Sequence, residues 1–415
     1  MTKRIAIVLG RGLEGCGVSQ CARQMQLATG ADIFYANDKK WPREKGMDFP
    51  TTGFSMEKEW HLYAEKINKE YDLCVVYSIP SATHPDRCQS GFLFFLAALN
   101  IRKAFINVDH KQASISRNAN LKQVCEKVDV IMTHSLDNPF CKTVGKLGIK
   151  TPVVKMGLGF DYDGHRAKYW KPIEEQQSNV VRWIGRTTGW KGPDLMIDFH
   201  EKELMDSGFI TILEGLEASI GYTSILYRDK GLTDRRKVMN YFRPEKEHGE
   251  LTKFTPGLYG KEVTGVGAYL YNPYINTDAM HRMSKSGFGS DLYHLAAEMY
   301  GNNIENCHAE IIACGAVPIF HRHFCDNIIH KRQGDPVSKC KNTGTIGLDY
   351  SNFEQARETI VKLQADTGLR NEWREMAFEF WKEHSDAKET IGEIIELAFS
   401  NTSQLESEPT LEDFF

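Results

Sequence analysis

The chain has 415 residues, 41% of them hydrophobic and 26% charged, with a net charge of −4 at pH 7. These values exclude a fibrous or largely disordered chain and a polycation, so any nucleic-acid contact has to come from a local basic face. The longest apolar run, Phe92 to Leu99, falls far short of a membrane span. No signal-peptide pattern precedes the first strand, and the ten cysteines form no CxxC pairs, as expected of reduced thiols in a cytosol.

In chain order, Ile5–Leu9 reads as a buried strand followed at once by the glycine-rich stretch Gly10 to Gly17. Further strands are expected at Ala31–Tyr35, Leu73–Tyr77, Ala104–Val108 and Val128–Met132, and helices near 18–28, 57–70, 88–99, 119–127 and 138–147. Phe92, Phe94 and Phe95 are read as one core helix. Continuous apolar strands separated by helices predict a parallel sheet covered on both faces. After the polar stretch Trp170–Asn179 the alternation restarts. Strands are expected at Val180–Ile184, Phe209–Leu213, Ala268–Tyr271 and Val317–Phe320. Helices follow at Asp194–Met205 and from about Asn303 to Ala313, the latter stopped by Cys314-Gly315. The fold class is thus α/β, in two halves joined near residue 171. Tyr222 to Gly257 lacks periodicity and reads as an insertion or mobile loop. Phe353 to Phe399 is mostly helical, and 401–415 is an acidic, flexible tail with an apolar tip.

Four stretches carry chemistry. Gly10-Arg-Gly-Leu-Glu-Gly15-Cys16-Gly17-Val18 follows a strand and opens a helix, where glycines let backbone N–H groups approach a phosphate. It is not a P-loop, since no Gly-Lys-Ser/Thr follows, and a ligand-free tight turn is the second reading. Arg182-Trp-Ile-Gly-Arg186-Thr-Thr-Gly-Trp-Lys191-Gly192 sits where the second half's first strand meets its first helix. Arg186 and Lys191 there suit a diphosphate, since Arg forks onto phosphate oxygens and Lys adds a point charge; the bland reading is a solvated basic turn. Met283-Ser284-Lys-Ser-Gly287-Phe-Gly289 is followed by Glu310, whose carboxylate suits ribose hydroxyls. By themselves, Glu310 reads as an exposed helix carboxylate and Ser284 to Ser286 as a plain helix end. Asn107-Val108-Asp109-His110 closes a strand of the first half. It offers a proton acceptor or a stabiliser of positive charge on a sugar ring, or else only a helix cap beside a surface histidine. His321-Arg-His323-Phe-Cys325 would place three metal ligands on one strand face, but a closed zinc site needs a fourth.

The stretches Arg11–Val18, Arg182–Thr188 with Trp190–Gly192, Asp198–Lys202, Met283–Gly289 and Ala313–Gly315 resemble, in the same order and at similar separations, the DNA α-glucosyltransferases of T-even bacteriophages. The resemblance runs from residue 4 to about 385. It implies a GT-B fold, with two Rossmann-like domains facing each other across a cleft. These are an acceptor and DNA-side domain at 1–170 and a UDP-sugar domain at 171–384, with a helix near 385–400 crossing back to the first. It implies retaining transfer of glucose from UDP-glucose to the hydroxymethyl group of 5-hydroxymethylcytosine in double-stranded DNA. Such transfer protects phage DNA from host restriction in the cytoplasm of the infected bacterium.

The resemblance also assigns residues. Arg186 and Lys191 would hold the diphosphate and Glu310 the ribose; Gly15, Cys16, Gly17, Val18, Ser284 and Gly287 would border the UDP-sugar; Asp109, with His110, would be catalytic. No metal is required, a divalent ion being at most accessory. For DNA, Lys111 and Arg117 lie near the acceptor side, and Arg228, Lys230, Arg235, Arg236, Lys237, Arg243 and Lys246 form a basic cluster. The base is expected to be flipped out, with Tyr241 or Phe242 as guesses for the residue filling the gap. Leu411-Glu-Asp-Phe-Phe415 has the make-up of a sliding-clamp docking peptide, or of a solubilising tail. Two departures stand out: Val108 occupies a position where the family has histidine, and Asn302 stands eight residues before Glu310 where many retaining GT-B enzymes have a glutamate. The first leaves open a different sugar such as arabinose, and the second leaves ribose recognition to Glu310 alone. A GT-B enzyme acting on a non-DNA acceptor and a non-catalytic binding module also remain open.

Overall fold

The computed structural model describes residues 3–9, 17–36, 51–78, 90–107, 119–133, 139–157, 159–186, 191–216, 266–270, 276–293, 305–326 and 343–400. The chain divides into two units, Met1–Asp161 with Glu298–Asn303 and Ser385–Phe415, and Tyr162–Ala297 with Ile304–His384.

The first unit is built on a seven-stranded sheet: β1 (Ile5–Leu9), β2 (Asp32–Ala36), β3 (Thr51–Phe54), β4 (Leu73–Ser78), β5 (Arg102–Asn107), β6 (Val130–Thr133) and β7 (Val153–Lys155). Their spatial order is β3-β2-β1-β4-β5-β6-β7, and every pairing is parallel. Two apolar layers explain why β1 is hydrophobic at every position. Ala6, Val8, Cys74, Val76 and Phe105 face one layer, packed against helices α2 (Trp60–Glu70), α3 (Ser90–Ala98), α4 (Ala119–Lys127) and α5 (Pro139–Lys146). Ile5, Ile7, Leu9, Val75 and Ile106 face the other, packed against α1 (Gly17–Thr29) and the C-terminal helix Ala387–Phe399. The last helix therefore belongs to the first unit. It is tied there where Phe160 N–H donates to Ser385 O at 2.9 Å and Ala387 N–H to Phe160 O at 3.0 Å.

The second unit starts with helix α6 (Tyr162–Tyr169) and has a six-stranded parallel sheet: β8 (Gln177–Arg186), β9 (Ile210–Leu216), β10 (Val266–Leu270), β11 (Ser286–Asp291), β12 (Val317–His321) and β13 (Ile346–Leu348). Its order is β10-β9-β8-β11-β12-β13. The helices are α7 (Pro193–Phe199), α8 (Asn276–Met283), α9 (Asn306–Ala313), α10 (Phe353–Ala365) and α11 (Thr367–Ser385), after which α12 is Ala387–Phe399. Val181, Trp183, Phe288, Val317 and Ile319 pack with Leu195, Phe199, Phe353 and Ile360 in one apolar layer.

Several elements differ from the sequence reading. Ser284 and Lys285 close α8 as the expected helix end, but Ser286 opens a fully buried central strand that runs to Asp291. Its sequence, SGFGSD, has low β propensity, but its small residues allow close approach: a Cβ on Gly287 would lie 3.0 Å from Gln177 O, and one on Gly289 2.5 Å from Ile311 Cγ2. β3, β7 and β13 were also not foreseen; each has only three or four residues. Phe92 and Phe95 are core residues, but Phe94 is 57% exposed. The strand containing Val317 ends at His321, and 322–326 is helical. His321, His323 and Cys325 therefore do not share one strand face. No described helix is long and apolar enough to cross a membrane.

Candidate functional site

In an open parallel sheet, ligands bind at the carboxyl ends of the strands where the strand order reverses. In the second unit that point lies between β8 and β11, because the chain runs outward from β8 through β9 and β10 and then returns to β8's other side. Ser290 pairs with Trp183, so the two strands finish side by side. Arg186 is the last residue of β8, Asp291 is the last of β11, and Lys191 lies just beyond the end of β8.

Local chemistry fixes Lys191. The buried indole of Trp183 donates to Lys191 O at 3.0 Å, tying the segment back to its own strand. Gly192 has φ +61°, and a Cβ there would lie 2.8 Å from Leu292 Cβ. A glycine is required on both counts. Pro193 then occupies the first turn of α7, where its missing N–H costs nothing.

The Lys191 side chain is buried, and its ammonium meets two carboxylates. Nζ donates to Asp291 Oδ2 at 3.1 Å and to Glu305 Oε2, and it lies 4.3 Å from the centre of the Tyr293 ring. Burial opposes the charge, but attraction by Asp291 and Glu305 outweighs it and raises the lysine above its ordinary pKa. Burial, and then repulsion from Glu305, push Asp291 up to about 7 against the pull of Lys191. Glu305 is the N-cap of α9: its side chain accepts from the His308 N–H, and the His308 ring faces the Glu305 N–H in return. His308 Nε2 is 3.9 Å from Asp291 Oδ2, and burial followed by the Lys191 charge holds this imidazole well below its usual range, hence neutral. The Cys307 thiol is raised, chiefly by burial. Asp291, Glu305 and Cys307 bring one oxygen or sulfur each within 4.8 Å of one another, the spacing of a cation site, and the Lys191 ammonium is the cation they surround.

The comparisons with known proteins agree over nearly the whole length. Residues 16–368 match the family described as DNA alpha-glucosyltransferase. The DNA alpha-glucosyltransferase of Enterobacteria phage T4 is 30% identical over 405 residues, covering 92% of this chain and 96% of that protein. The chain belongs to the DNA α-glucosyltransferase family. A structure of an alpha-glucosyltransferase in complex with UDP-glucose and DNA containing an abasic site superposes with a TM-score of 0.80 at 28% identity, covering 96% of this chain and 100% of that one. Another, in complex with UDP and a 13-mer DNA containing an HMU base, has a TM-score of 0.79 at 29% identity, with coverage of 96% and 100%. The fold is that of the GT-B glycosyltransferases, two parallel-sheet α/β domains.

Of the residues expected to serve this family's chemistry, the structure places Arg186 and Lys191 at the β8–β11 switch point. Glu310 lies on α9, one turn beyond Cys307, and is 4% exposed, which overturns its reading as a surface carboxylate. Ser284 and Gly287 are not brought to this group. They sit at the amino end of β11, Gly287 roughly 13 Å from Asp291 at the usual rise per strand residue and Ser284 further still. There the Ser284 hydroxyl donates to His281 O at 2.9 Å and Gly287 lets β11 approach β8. Gly17 and Val18 open α1. Gly15, Cys16, Asp109, His110, Lys111, Arg117, Arg228, Lys230, Arg235, Arg236, Lys237, Tyr241, Phe242, Arg243, Lys246 and Leu411–Phe415 lie outside the described residues; Asp109 and His110 follow closely on the carboxyl end of β5 at Asn107. The sequence reading missed Asp291 and Glu305. Their one signal was the resemblance around Met283–Gly289, which leads into the strand that ends at Asp291.

Proposed function

We infer that this protein transfers glucose from UDP-glucose to DNA, at the hydroxymethyl group of 5-hydroxymethylcytosine, with retention of the α configuration. The observation that carries this reading is the buried, still charged Lys191 at the sheet's switch point beside Arg186, in a chain of the DNA α-glucosyltransferase family. In the reaction the bond from the anomeric carbon to the diphosphate oxygen breaks and its electron pair leaves on UDP. The acceptor hydroxymethyl oxygen makes the new bond and gives up its proton. Arg186 and Lys191 neutralise the leaving diphosphate in a site largely withdrawn from water, where a fixed cation acts most strongly. Glu310 accepts from the ribose hydroxyls.

The second unit is the donor side and the first the acceptor side, where Asp109 and His110 take the proton or stabilise charge on the sugar ring. Lys111 and Arg117, with Arg235, Arg236, Lys237 and Arg243, grip the phosphate backbone of double-stranded DNA, and the target base is extruded. The setting is the cytoplasm of a phage-infected bacterium, where the modified DNA resists restriction. Leu411–Phe415 docks on a replication clamp; deletion of 405–415 with unchanged association with replication proteins would remove that partner.

The test is incubation of hydroxymethylcytosine DNA with a panel of UDP-sugars and mass spectrometry of the released nucleosides. A hexose added from UDP-glucose is expected, and Asp109→Ala should abolish transfer while leaving UDP binding intact. Val108, where the family has histidine, favours one second reading, a pentose donor such as UDP-arabinose, which the added mass separates directly. No transfer from any UDP-sugar would refute the assignment.

A further inference from the structure

The Lys191 group carries more charge than a diphosphate clamp needs. One ammonium is bonded to two carboxylates, Asp291 wholly buried and Glu305 mostly so; among the described residues no group in contact with them adds a positive charge, and Arg186, at the end of β8, is the other cation of the switch point. His308 on α9 is neutral, Cys307 on α9 is a thiol, Tyr293 offers a ring face and its backbone N–H, and Glu310 lies further along the same helix. With all three ionised, Lys191, Asp291 and Glu305 sum to one negative charge. A nucleoside diphosphate sugar brings two more. Within a few ångströms in a poorly hydrated site, that repulsion would offset the attraction of the lysine and leave the diphosphate to Arg186 alone.

We propose that Asp291 and Glu305 are positioning residues for Lys191, and that seating the donor's diphosphate draws one proton from solvent onto this carboxylate pair. The inference rests on the donor reading above. Asp291 is the acceptor of that proton: it is the more deeply buried of the two and its carboxyl already lies near neutrality. Protonated, Asp291 ceases to oppose the diphosphate, while Glu305 keeps the ammonium in place. The direction of the linkage follows. Below pH 7 Asp291 is already protonated and binding takes up little; from pH 7 to 8 uptake grows and donor affinity falls, by at most tenfold per pH unit.

UDP-glucose is the probe because its diphosphate, substituted at both ends, does not titrate near neutrality. Binding to the full chain is measured calorimetrically at pH 6, 7 and 8 in two buffers of different ionisation enthalpy. The expected result is proton uptake that rises with pH in the wild type. Asp291→Asn, which imitates the protonated carboxyl, should bind at every pH with the wild type's low-pH affinity and without uptake. Asp291→Ala, which also loses the hydrogen bond to Lys191, should bind at least tenfold more weakly. Wild-type binding with no proton exchange and a flat pH profile would overturn the inference and leave the donor reading standing. Uptake persisting in Asp291→Asn would overturn it too. Absence of any binding would remove the donor reading itself, and the inference with it.

Discussion

The two units share one architecture and differ in what they bury. In the first unit the buried polar side chains among the described residues are uncharged: Gln24, Asn107, Thr133 and Ser385. In the second they include Arg182, Lys191, Asp291, Glu310, Arg370 and Arg374. A buried charge costs several kcal/mol unless it is paired, so evolution keeps one where it does something an apolar side chain cannot. Both sheets are specified by the same apolar alternation of strand and helix; among the described residues, buried charge is found in the second unit alone.

The largest test of that contrast is Arg186→Ala, which should lower UDP affinity by about a hundredfold, the scale of a charge-assisted phosphate contact. Unchanged affinity by calorimetry would detach the β8 end from the donor. A matched pair of glycine substitutions sharpens the contrast. Gly91→Ala in the first unit would set a Cβ 2.3 Å from Met56 O, and Gly289→Ala in the second 2.5 Å from Ile311 Cγ2 and 2.8 Å from Met283 Sδ. Each should cost about 1–3 kcal/mol in urea unfolding. Only Gly289→Ala, which presses on β11 and α9, should also weaken UDP binding.

Smaller effects follow from titration. Asp291 is raised in the folded state above its unfolded value, so the native chain binds the extra proton between about pH 4 and 7. Its contribution to stability is lost as pH rises through about 7. Lowering the pH from 7 to 6 should therefore stabilise the wild type by on the order of 1 kcal/mol relative to Asp291→Asn, read from urea midpoints. Asp386 caps α12 by accepting from Lys388 N–H at 2.8 Å. Asp386→Ala should cost about 0.5–2 kcal/mol and leave UDP affinity unaltered.

Much of this was readable in the residues. Ile5–Leu9, Leu73–Tyr77 and Val317–Phe320 announce themselves because a strand covered on both faces must be apolar throughout. Arg186 and Lys191 stand out because Gly192-Pro193 marks a helix start directly after a strand. β11 did not, since close packing between β8 and α9 selects glycine and serine over β-branched residues. Asp291 and Glu305 lie 100 and 114 positions from Lys191 along the chain. Only the return of β11 to the side of β8 makes them neighbours, and no local pattern reports that crossing. Glu310 was misjudged alone for the same reason: burial belongs to the packing of α9 and not to the residue.

The most direct measurement is hydrogen exchange of the full chain with and without UDP-glucose. The account predicts slowed exchange at 182–195, 289–293 and 305–311, the carboxyl ends of β8 and β11 and the start of α9. Unchanged exchange across all three segments, with the donor bound, would contradict it.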